Sequence, residues 1–350
     1  MTLMDLFTLF LVLSFSLNHN VVGGRTLSRE EDLELERQLK ILNKPPIKTI
    51  KTEVGDTYDC IDIWKQPALD HPLHQDHEIQ MEPSSFPEGF DGETSTIDKE
   101  IKVTLTTVDC PQGTVPIRRT YKEDLVRVKS FMEAYSYSSI HPLTKDSPGK
   151  HFAVVESLDK VPTKFHGIQG YVSAYNLTVG AYQTTSSQVW LETGYGNSLN
   201  SLQAGWMVSS QFYRDNFTRL FVFWKTDDKV TGNWWFQVND IRIGYWINTL
   251  VPRLEGGASR VAWGGLAQAL PNRPSPPMGS GHFEPDDKRK VAYFRHIQTV
   301  NQQNFWVVPN VTQFETYISS PTCYYIWPFG QIWFKGYLFT FGGPGGNCGV

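Results

Sequence analysis

Three stretches of the chain carry residue types that could do chemistry, but none has the surroundings that such chemistry needs. His71, His74 and His77 recur at every third position, and imidazoles grouped in this way could hold a metal ion. No regular helix is predicted around them, so a turn with exposed imidazoles is favoured. Ser280 lies between two glycines but lacks the strand–turn–helix setting of a serine nucleophile, and the glycine-rich stretch 342–349 lacks the Gly-Lys-Ser/Thr of a phosphate loop. We therefore predict no metal ion and no cofactor.

A tryptophan followed by two glycines marks a fourth candidate, in the stretch VAWGGLAQ at 261–268. Glycine inside a strand weakens it and often marks a place where a ligand or another backbone comes close. The next residue, Leu266, is chemically inert. The residue types alone therefore indicate an aromatic, glycine-lined cleft, and they do not indicate its reaction.

The composition is that of a globular protein rich in β-structure. The chain has 350 residues, of which 13% are aromatic and 19% charged, with 28 Gly and 21 Pro. This length suits one large domain with a smaller one. The formal net charge of −4 gives no reason to expect nucleic-acid binding.

The first residues predict secretion. The apolar run at 6–17, followed by small residues at 22–24, is too short to span a bilayer but suits a signal peptide, which we place at 1–24. The usual positive charge before the run is missing, since Asp5 is the only charged residue there. No later segment is apolar enough to cross a membrane, so we predict a soluble mature protein without a membrane partner.

The four cysteines agree with an oxidising compartment, because an even count in a secreted chain favours disulfides. Three connectivities are possible, and the spacing favours Cys60–Cys110 and Cys323–Cys348, one bridge in each half. Three Asn-x-Thr sequons predict N-linked glycans, at Asn176, Asn216 and Asn310.

The region after the signal peptide begins with a predicted helix. Ser28 and Glu31 have the spacing of a capping box, and leucines at 35, 39 and 42 continue a helical period, so a helix is predicted over about 29–43. From there to about 145 the sequence is rich in turns and irregular. We predict a small domain over 25–145, held by Cys60–Cys110.

After residue 145 the pattern is that of β-strands. YVSAYNLTV (171–179) alternates so that Asn176 faces outward. Further strands are predicted at 219–224, 233–238, 241–246, 291–300 and 332–341. Aromatic residues on both alternating faces indicate strands covered on both sides. An all-β antiparallel sandwich or barrel over 146–350 follows, rather than a helix-covered parallel sheet.

Stretches in both regions resemble the neprosin family, which are secreted plant glutamic peptidases made as zymogens. In the N-terminal region the resemblance lies in YDCIDIWKQPALDHPLHQDHEIQMEPSS (58–85) and CPQGTVPIRR (110–119). In the C-terminal region it lies in SLNSLQAGWMV (198–208), TGNWWFQVNDIRIGYW (231–246), VAWGG (261–265), MGSGHF (278–283), VAYFRHIQ (291–298) and FGGPGGNC (341–348). It implies an activation-peptide domain over 25–145 and a peptidase-like domain over 146–350.

The resemblance implies a sandwich of two curved antiparallel sheets with a concave substrate cleft. Two glutamates on facing strands act there as acid and base, and family members cleave after proline at acid pH. The N-terminal domain caps the cleft until it is removed, here by a cut predicted at 138–150. Residues predicted to line the cleft are Gln188, Trp190, Trp206, Trp263, Gly264 and Gly265.

The chain departs from the family at both catalytic positions, which are occupied by Gln203 and Leu266. Neither side chain titrates, so loss of family-type activity is predicted. A pseudoenzyme that binds a proline-rich peptide or protein is favoured. A hydrolase that uses other carboxylates and a degraded copy stay open, with candidate carboxylates at Glu192, Glu255 and Glu284.

A second departure lies between Lys229 and Thr231, where the family has several more strands with a cysteine pair. Here the chain runs directly from Asp227-Asp228-Lys229-Val230 into TGNWW. Either part of a sheet has been lost or the gene model has skipped an exon.

Overall fold

The structure is a computed structural model that describes residues 20–22, 25–70, 77–89, 108–134, 148–158, 162–195, 198–213, 215–225, 233–238, 241–247, 250–283, 290–332 and 336–349. Several predicted features lie outside these residues: 1–19 of the signal peptide, His71, His74, most of the linker at 138–150, the junction at 226–232, and Glu284. None of the described helices is both long and apolar enough to cross a membrane.

The chain forms two compact units. The N-terminal unit comprises Met1–His77 and Thr107–Phe131, and the β-unit comprises Glu78–Thr106 and Met132–Val350. The domain bounds at 25–145 and 146–350 stay a prediction. The β-unit takes in an earlier segment, Glu78–Thr106, which lies between the two parts of the N-terminal unit along the chain. That segment belongs to the β-unit through its main chain: the amide of Glu88 donates to the carbonyl of Asn304 at 2.9 Å, and the carbonyl of Glu88 accepts from Trp306 at 2.8 Å.

In the N-terminal unit the predicted helix is present as α1 (Arg29–Leu42). Its capping box is formed, since Ser28 Oγ accepts from the amide of Glu31 and Glu31 Oε2 accepts from the amide of Ser28, both at 3.1 Å. Leu35 is buried and packs with Leu27 and Val126. The local capping signal was therefore sufficient to place this helix.

The rest of the N-terminal unit corrects the prediction of irregular structure. A three-stranded sheet has the order β3 (Lys48–Lys51), β4 (Thr57–Asp62), β5 (Thr114–Arg118), and the helix α2 (Lys122–Ala134) follows it. A hairpin of β1 (Asn20–Val22) and β2 (Arg25–Leu27) precedes α1. Each strand is short, so no alternation of useful length was present to predict it. The predicted Cys60–Cys110 disulfide is confirmed and ties β4 to the segment before β5.

The β-unit contains two antiparallel sheets. The first sheet has the order β10 (Arg219–Lys225), β9 (Asn200–Ser209), β8 (Thr184–Thr193), β13 (Arg260–Gln268), β6 (Lys150–Ser157), β17 (Phe314–Ile318). The second has the order β14 (Met278–Gly279), β19 (Gly336–Gly343), β15 (Ala292–Val300), β16 (Trp306–Val307); in addition β18 (Tyr325–Ile332) pairs with β19, and β7 (Gly167–Val172) pairs with β15. A one-turn helix, α3 (Ser210–Tyr213), follows β9, and a separate hairpin is formed by β11 (Trp234–Val238) and β12 (Ile241–Trp246).

The two sheets pack face to face through one apolar core. Side chains from β13 and β9 of the first sheet meet those of β15 and β19 of the second, among them Trp263, Leu202, Phe294 and Phe341. The rings of Phe294 and Phe339 stack at 5.5 Å. The predicted antiparallel sandwich is therefore confirmed, and the second predicted disulfide, Cys323–Cys348, is present near its end.

Most of the predicted strands are present, at β10, β11, β12 and β15, but two differ. The predicted strand at 171–179 ends at Val172. Beyond it the alternation of exposure persists, and the amide of Val179 donates to a side chain, Asn216 Oδ1 at 2.9 Å. The predicted strand at 332–341 is divided between β18 and β19. Gly336, with φ +59°, starts β19 in a conformation that belongs to a turn.

Candidate active site

Gln203 and Leu266 lie on the same face of the first sheet. Gln203 of β9 stands opposite Trp190 of β8, and Leu266 of β13 stands opposite Ser186 on the other edge of β8. Because side chains alternate along a strand, all four project from one face, which we call the Gln203 face. The two family positions thus share one face, on the two strands that flank β8, and their partners on β8 are four residues apart.

A chain of four hydrogen bonds crosses this face, and we call it the relay. Ser186 Oγ donates to Gln188 Oε1 at 2.7 Å, and Gln188 Nε2 donates to Gln203 Oε1 at 2.7 Å. Gln203 Nε2 donates to Ser201 Oγ at 3.0 Å, and Ser201 Oγ donates to Glu192 Oε1 at 2.9 Å. All five side chains are buried. The glutamine at the first family position therefore makes one hydrogen bond to a protein group at each end of its amide.

Glu192 ends the relay in an unusual electrostatic setting. Its side chain is fully buried, and its Oε2 lies 3.5 Å from Nε of Arg260, which stands directly opposite on β13. Burial raises the pKa of Glu192 to about 7, although Arg260 and the hydrogen bond from Ser201 act in the opposite direction. Glu192 is therefore a carboxyl group that titrates near neutrality.

Leu266 lies in the apolar part of the same face. It is half-buried and packs against a cluster of Phe152, Val154, Trp190 and Ala262. All four residues of this cluster have apolar side chains apart from the indole N–H of Trp190. The second family position therefore contributes packing.

The predicted cleft residues are divided between the two faces of the sheet. Gln188 and Trp190 lie on the Gln203 face, and Trp190 Nε1 is buried with no hydrogen-bond partner among the described residues. Trp206 and Trp263 project from the opposite face, where their indole N–H groups donate at 2.9 Å to the carbonyls of Ser173 and Gln169, respectively. The structure therefore does not bring these two tryptophans together with Gln203 and Leu266.

The two glycines of Trp-Gly-Gly lie so close to other parts of the protein that neither has room for a side chain. A Cβ on Gly264 would lie 2.2 Å from the carbonyl oxygen of Ala153 in β6, and one on Gly265 would lie 2.4 Å from Sδ of Met278. Gly264 thus permits close contact with the neighbouring strand, and Gly265 permits the second sheet to pack closely.

Three residues that contact the predicted site residues were not predicted: Ser186, Ser201 and Arg260. Ser186 and Ser201 each stand two residues from a predicted site residue, so strand alternation was a signal that could have found them. Arg260 is distant in sequence from Glu192 and no local pattern points to it. Of the other predicted carboxylates, Glu255 is exposed at the end of a 3₁₀ turn and lies outside the relay.

Comparison with protein families settles the relationship of the chain. The family model described as Neprosin matches residues 181–230 and 226–344, and the model described as Neprosin activation peptide matches residues 49–156. The chain belongs to the neprosin family. The five residues of the relay lie in the first of the two matched Neprosin segments. Arg260 and Leu266 lie in the second.

The Neprosin match of this family member is divided at a position that the sequence analysis singled out. The two matched segments meet at 226–230, where the predicted loss of strands was placed. The activation-peptide match continues through 138–150 to residue 156, which is inside β6.

The titration of Glu192 gives a first testable prediction, on stability. Since its folded pKa of about 7 exceeds the ordinary value of 4.5, the folded protein holds a proton that the unfolded chain releases between these values. The free energy of unfolding contributed by this group is therefore fully present below pH 4.5 and is lost as pH rises through 7, by roughly 3 kcal/mol. Urea unfolding at pH 4.5, 6 and 8 measures it.

The comparison is between Glu192→Gln and the exposed control Glu255→Gln. We expect the loss of stability between pH 4.5 and 8 to be smaller in Glu192→Gln by that amount and unchanged in Glu255→Gln. Equal pH dependence in wild type and Glu192→Gln would show that Glu192 is ionised throughout and that its burial is fully compensated.

Proposed function

We propose that this neprosin-family protein is secreted and catalytically inactive, and that it binds an extended, proline-containing peptide on the Gln203 face. The observation that carries the proposal is the identity of the two side chains at the family's glutamate positions. Gln203 and Leu266 share one face of the sheet, and neither can exchange a proton at the pH values at which an acid peptidase works.

The chemistry lost is general acid–base catalysis, which typically supplies 10²–10⁴-fold in rate. Gln203 can orient a water or a carbonyl through hydrogen bonds, but its amide cannot accept the proton of an attacking water. Leu266 offers only alkyl surface to a scissile carbonyl. With both partners changed, the face keeps groups that can bind and lacks groups that can react.

The binding part of the proposal is supported by the groups that are present. Trp190 offers a buried indole N–H without a partner among the described residues, and a buried donor of this kind gains from an acceptor. The apolar cluster beside Leu266 suits ring carbons. A proline-containing segment supplies carbonyl acceptors, few N–H groups and apolar rings in a preformed extended shape.

Secretion is supported by the two disulfides, which belong to oxidising compartments, and by the family. Of the three sequons, Asn176 and Asn310 are exposed, as a glycan requires. Asn216 is half-buried and its Oδ1 accepts from the amide of Val179.

One observation favours a second candidate, a hydrolase that works through Glu192. Its pKa of about 7 suits a general base, and it lies on the same face as Gln203. Against this reading, both of its oxygens face protein groups, namely Ser201 and Arg260. A degraded copy without function is the third reading, and the division of the family match at 226–230 favours it.

The test uses the full-length protein with a protease recognition sequence inserted at 138–147, studied before and after cutting. Gln188, Trp190 and Gln203 are buried in the full-length chain, and the family resemblance implies that the activation peptide must be cut off before a ligand binds. We expect the intact protein to stay full length at pH 4. After the cut, calorimetry should show saturable binding of a proline-rich peptide, and mass spectrometry should show the peptide intact. Cleavage of the peptide would establish the hydrolase, and absence of binding after the cut would favour the degraded copy.

A further inference from the structure

The hydrogen bonds of the relay can all point in one of two senses, from Ser186 toward Gln203 or the reverse, because each glutamine amide has one donating and one accepting end. If Ser201 donates to Glu192, it must accept from Gln203 Nε2. Gln203 Oε1 then faces Gln188 Nε2, and Gln188 Oε1 faces the hydroxyl of Ser186, as is seen. An ionised carboxylate can only accept. An ionised Glu192 therefore dictates this sense along the whole relay.

A protonated Glu192 permits the opposite sense. Its Oε2 faces the guanidinium of Arg260 at 3.5 Å, so the proton is placed on Oε1, which faces Ser201. The acid then donates to Ser201 Oγ, Ser201 donates to Gln203, and both amides turn over, so that Gln188 Nε2 faces Ser186. Each hydrogen bond of the relay is kept, and only its direction changes.

Charged residues occupy positions on several elements that pair with or pack on β8, β9 and β13, and of these Arg260 acts on the ionisation of Glu192. Arg260 lies opposite on β13, with its guanidinium 5.0 Å from the ring of Tyr195. On β6, the buried Glu156 stands opposite Ala262, and at the register position beside Ser201 on β10 is Lys225. The 3₁₀ turn that packs on β8 carries the exposed Arg253 and ends at the exposed Glu255. Arg260 is the cation that the structure places next to the carboxyl group.

We propose that Glu192 is the specificity-determining residue of this site, because its ionisation decides which end of Gln188 is presented beside Leu266. Ser186 stands opposite Leu266, so the end of the relay at Ser186 is also the end nearest the second family position. With Glu192 ionised, that end carries the carbonyl oxygen of Gln188 and suits a peptide N–H. With Glu192 protonated, it carries the amide N–H and suits a peptide carbonyl.

The ligand class follows from this exchange. A proline-containing segment has carbonyl oxygens at every residue but lacks an N–H at each proline, so it matches the protonated site and mismatches the ionised one. This inference rests on the proposed function for its ligand, whereas the relay itself does not. The inference also means that binding by this protein responds to acid through the titration of Glu192, whereas in the family two catalytic glutamates respond to acid.

The test separates the relay from the ligand. In ¹⁵N-labelled full-length protein, the side-chain amide signals of Gln188 and Gln203, assigned as those lost in Gln188→Leu and Gln203→Leu, are followed from pH 4.5 to 8.5. We expect both to titrate together in wild type and in the control Glu255→Gln, and neither to titrate in Glu192→Gln. Ser201→Ala keeps the carboxyl group but interrupts the relay, so it should also abolish the titration. Wild-type signals that do not titrate, or titration that persists in either variant, would overturn the inference.

The second arm measures peptide binding by the cut protein at pH 5.5 and 8. We expect the proline-rich peptide to bind about tenfold more tightly at pH 5.5, the effect of about one hydrogen bond, and to bind equally at both pH values in Glu192→Gln. Titrating glutamine signals without any peptide binding would reject the proposed function and leave the relay standing. Equal affinity of the wild type at both pH values would overturn the assignment of specificity to Glu192.

Discussion

The double substitution Gln203→Glu with Leu266→Glu is expected to give this protein peptidase activity at acid pH. The two positions already share one face of the first sheet, on the strands that flank β8. A carboxylate at 203 would accept from Gln188 Nε2, and it would accept from Ser201 Oγ when a protonated Glu192 donates to Ser201 in turn. A carboxyl group at 266 would enter the apolar cluster of Phe152 and Trp190, which raises its pKa and keeps it neutral as an acid.

We expect cleavage of a proline-containing peptide to rise from background by 10²–10⁴-fold in the double variant after the linker is cut. Each single variant should stay near background, because groups that act as a unit in catalysis are strongly non-additive. The matched control is Gln203→Glu with Leu266→Gln, which restores the polarity of position 266 without an acid. Product formation at pH 4 to 5 is measured by mass spectrometry.

Circular dichroism of each variant distinguishes chemistry from folding, since a charge at position 266 is costly inside an apolar cluster. A double variant that is folded but inactive would place the decisive defect elsewhere. The junction at 226–230, where the family match is divided, is the alternative that such a result would favour. The interpretation of Leu266 as one of the two decisive changes would then be wrong.

How far the sequence predicted this site depended on how local each signal was. Gln203 and Leu266 were predicted as site residues because each lies in a short motif that resembles the family, and that assignment stays a prediction. Their common face follows from pairing with β8, which no single motif contains. Arg260 joins Glu192 only through the register between β13 and β8, and for that reason it was not predicted.

Strand alternation contained more information than was used. Trp206 is three residues after Gln203, and Trp263 is three residues before Leu266, and an odd separation along a strand puts two side chains on opposite faces. Once Gln203 and Leu266 were placed on the cleft face, the two tryptophans had to face the core. Gln188 and Trp190 are separated by two residues and share a face for the same reason. The sequence supplied the period, and the structure was needed to show that both strands run without a bulge through these positions.

The fold shows the same contrast between local and distant signals. The helix α1 was predicted from Ser28 and Glu31, which cap it within one turn. The sheet of β3, β4 and β5 was not predicted, because β4 and β5 are far apart in the chain. In addition, the central strand β4 shows no regular alternation of apolar and polar residues that would indicate a strand. The predicted disulfide Cys60–Cys110 links β4 to the segment just before β5. It was therefore the one sequence signal that indicated that these two strands lie close together.

Substitution of Gly264 by alanine is expected to destabilise the β-unit by about 3 kcal/mol or more. The added Cβ would lie 2.2 Å from the carbonyl oxygen of Ala153 and 2.7 Å from Cα of Val154, and both are main-chain atoms of β6 that cannot turn away. Gly264 also has φ +153°, a value that side chains other than that of glycine rarely adopt. A new clash must therefore be relieved by moving one strand of the sheet away from another.

Two other glycines make the comparison quantitative. Gly256→Ala is the control, since nothing lies within 4 Å of its added Cβ. Gly265→Ala should be intermediate, because the nearest atom, Sδ of Met278 at 2.4 Å, is part of a flexible side chain, although that side chain is buried in the core. Thermal unfolding should give a melting temperature roughly 6–12 °C lower for Gly264→Ala and near that of wild type for Gly256→Ala. If Gly264→Ala is as stable as wild type but the cut protein loses peptide binding, the glycine is kept for the ligand. If Gly264→Ala instead lowers the stability of the β-unit, the glycine after Trp263 is kept for the contact between β13 and β6.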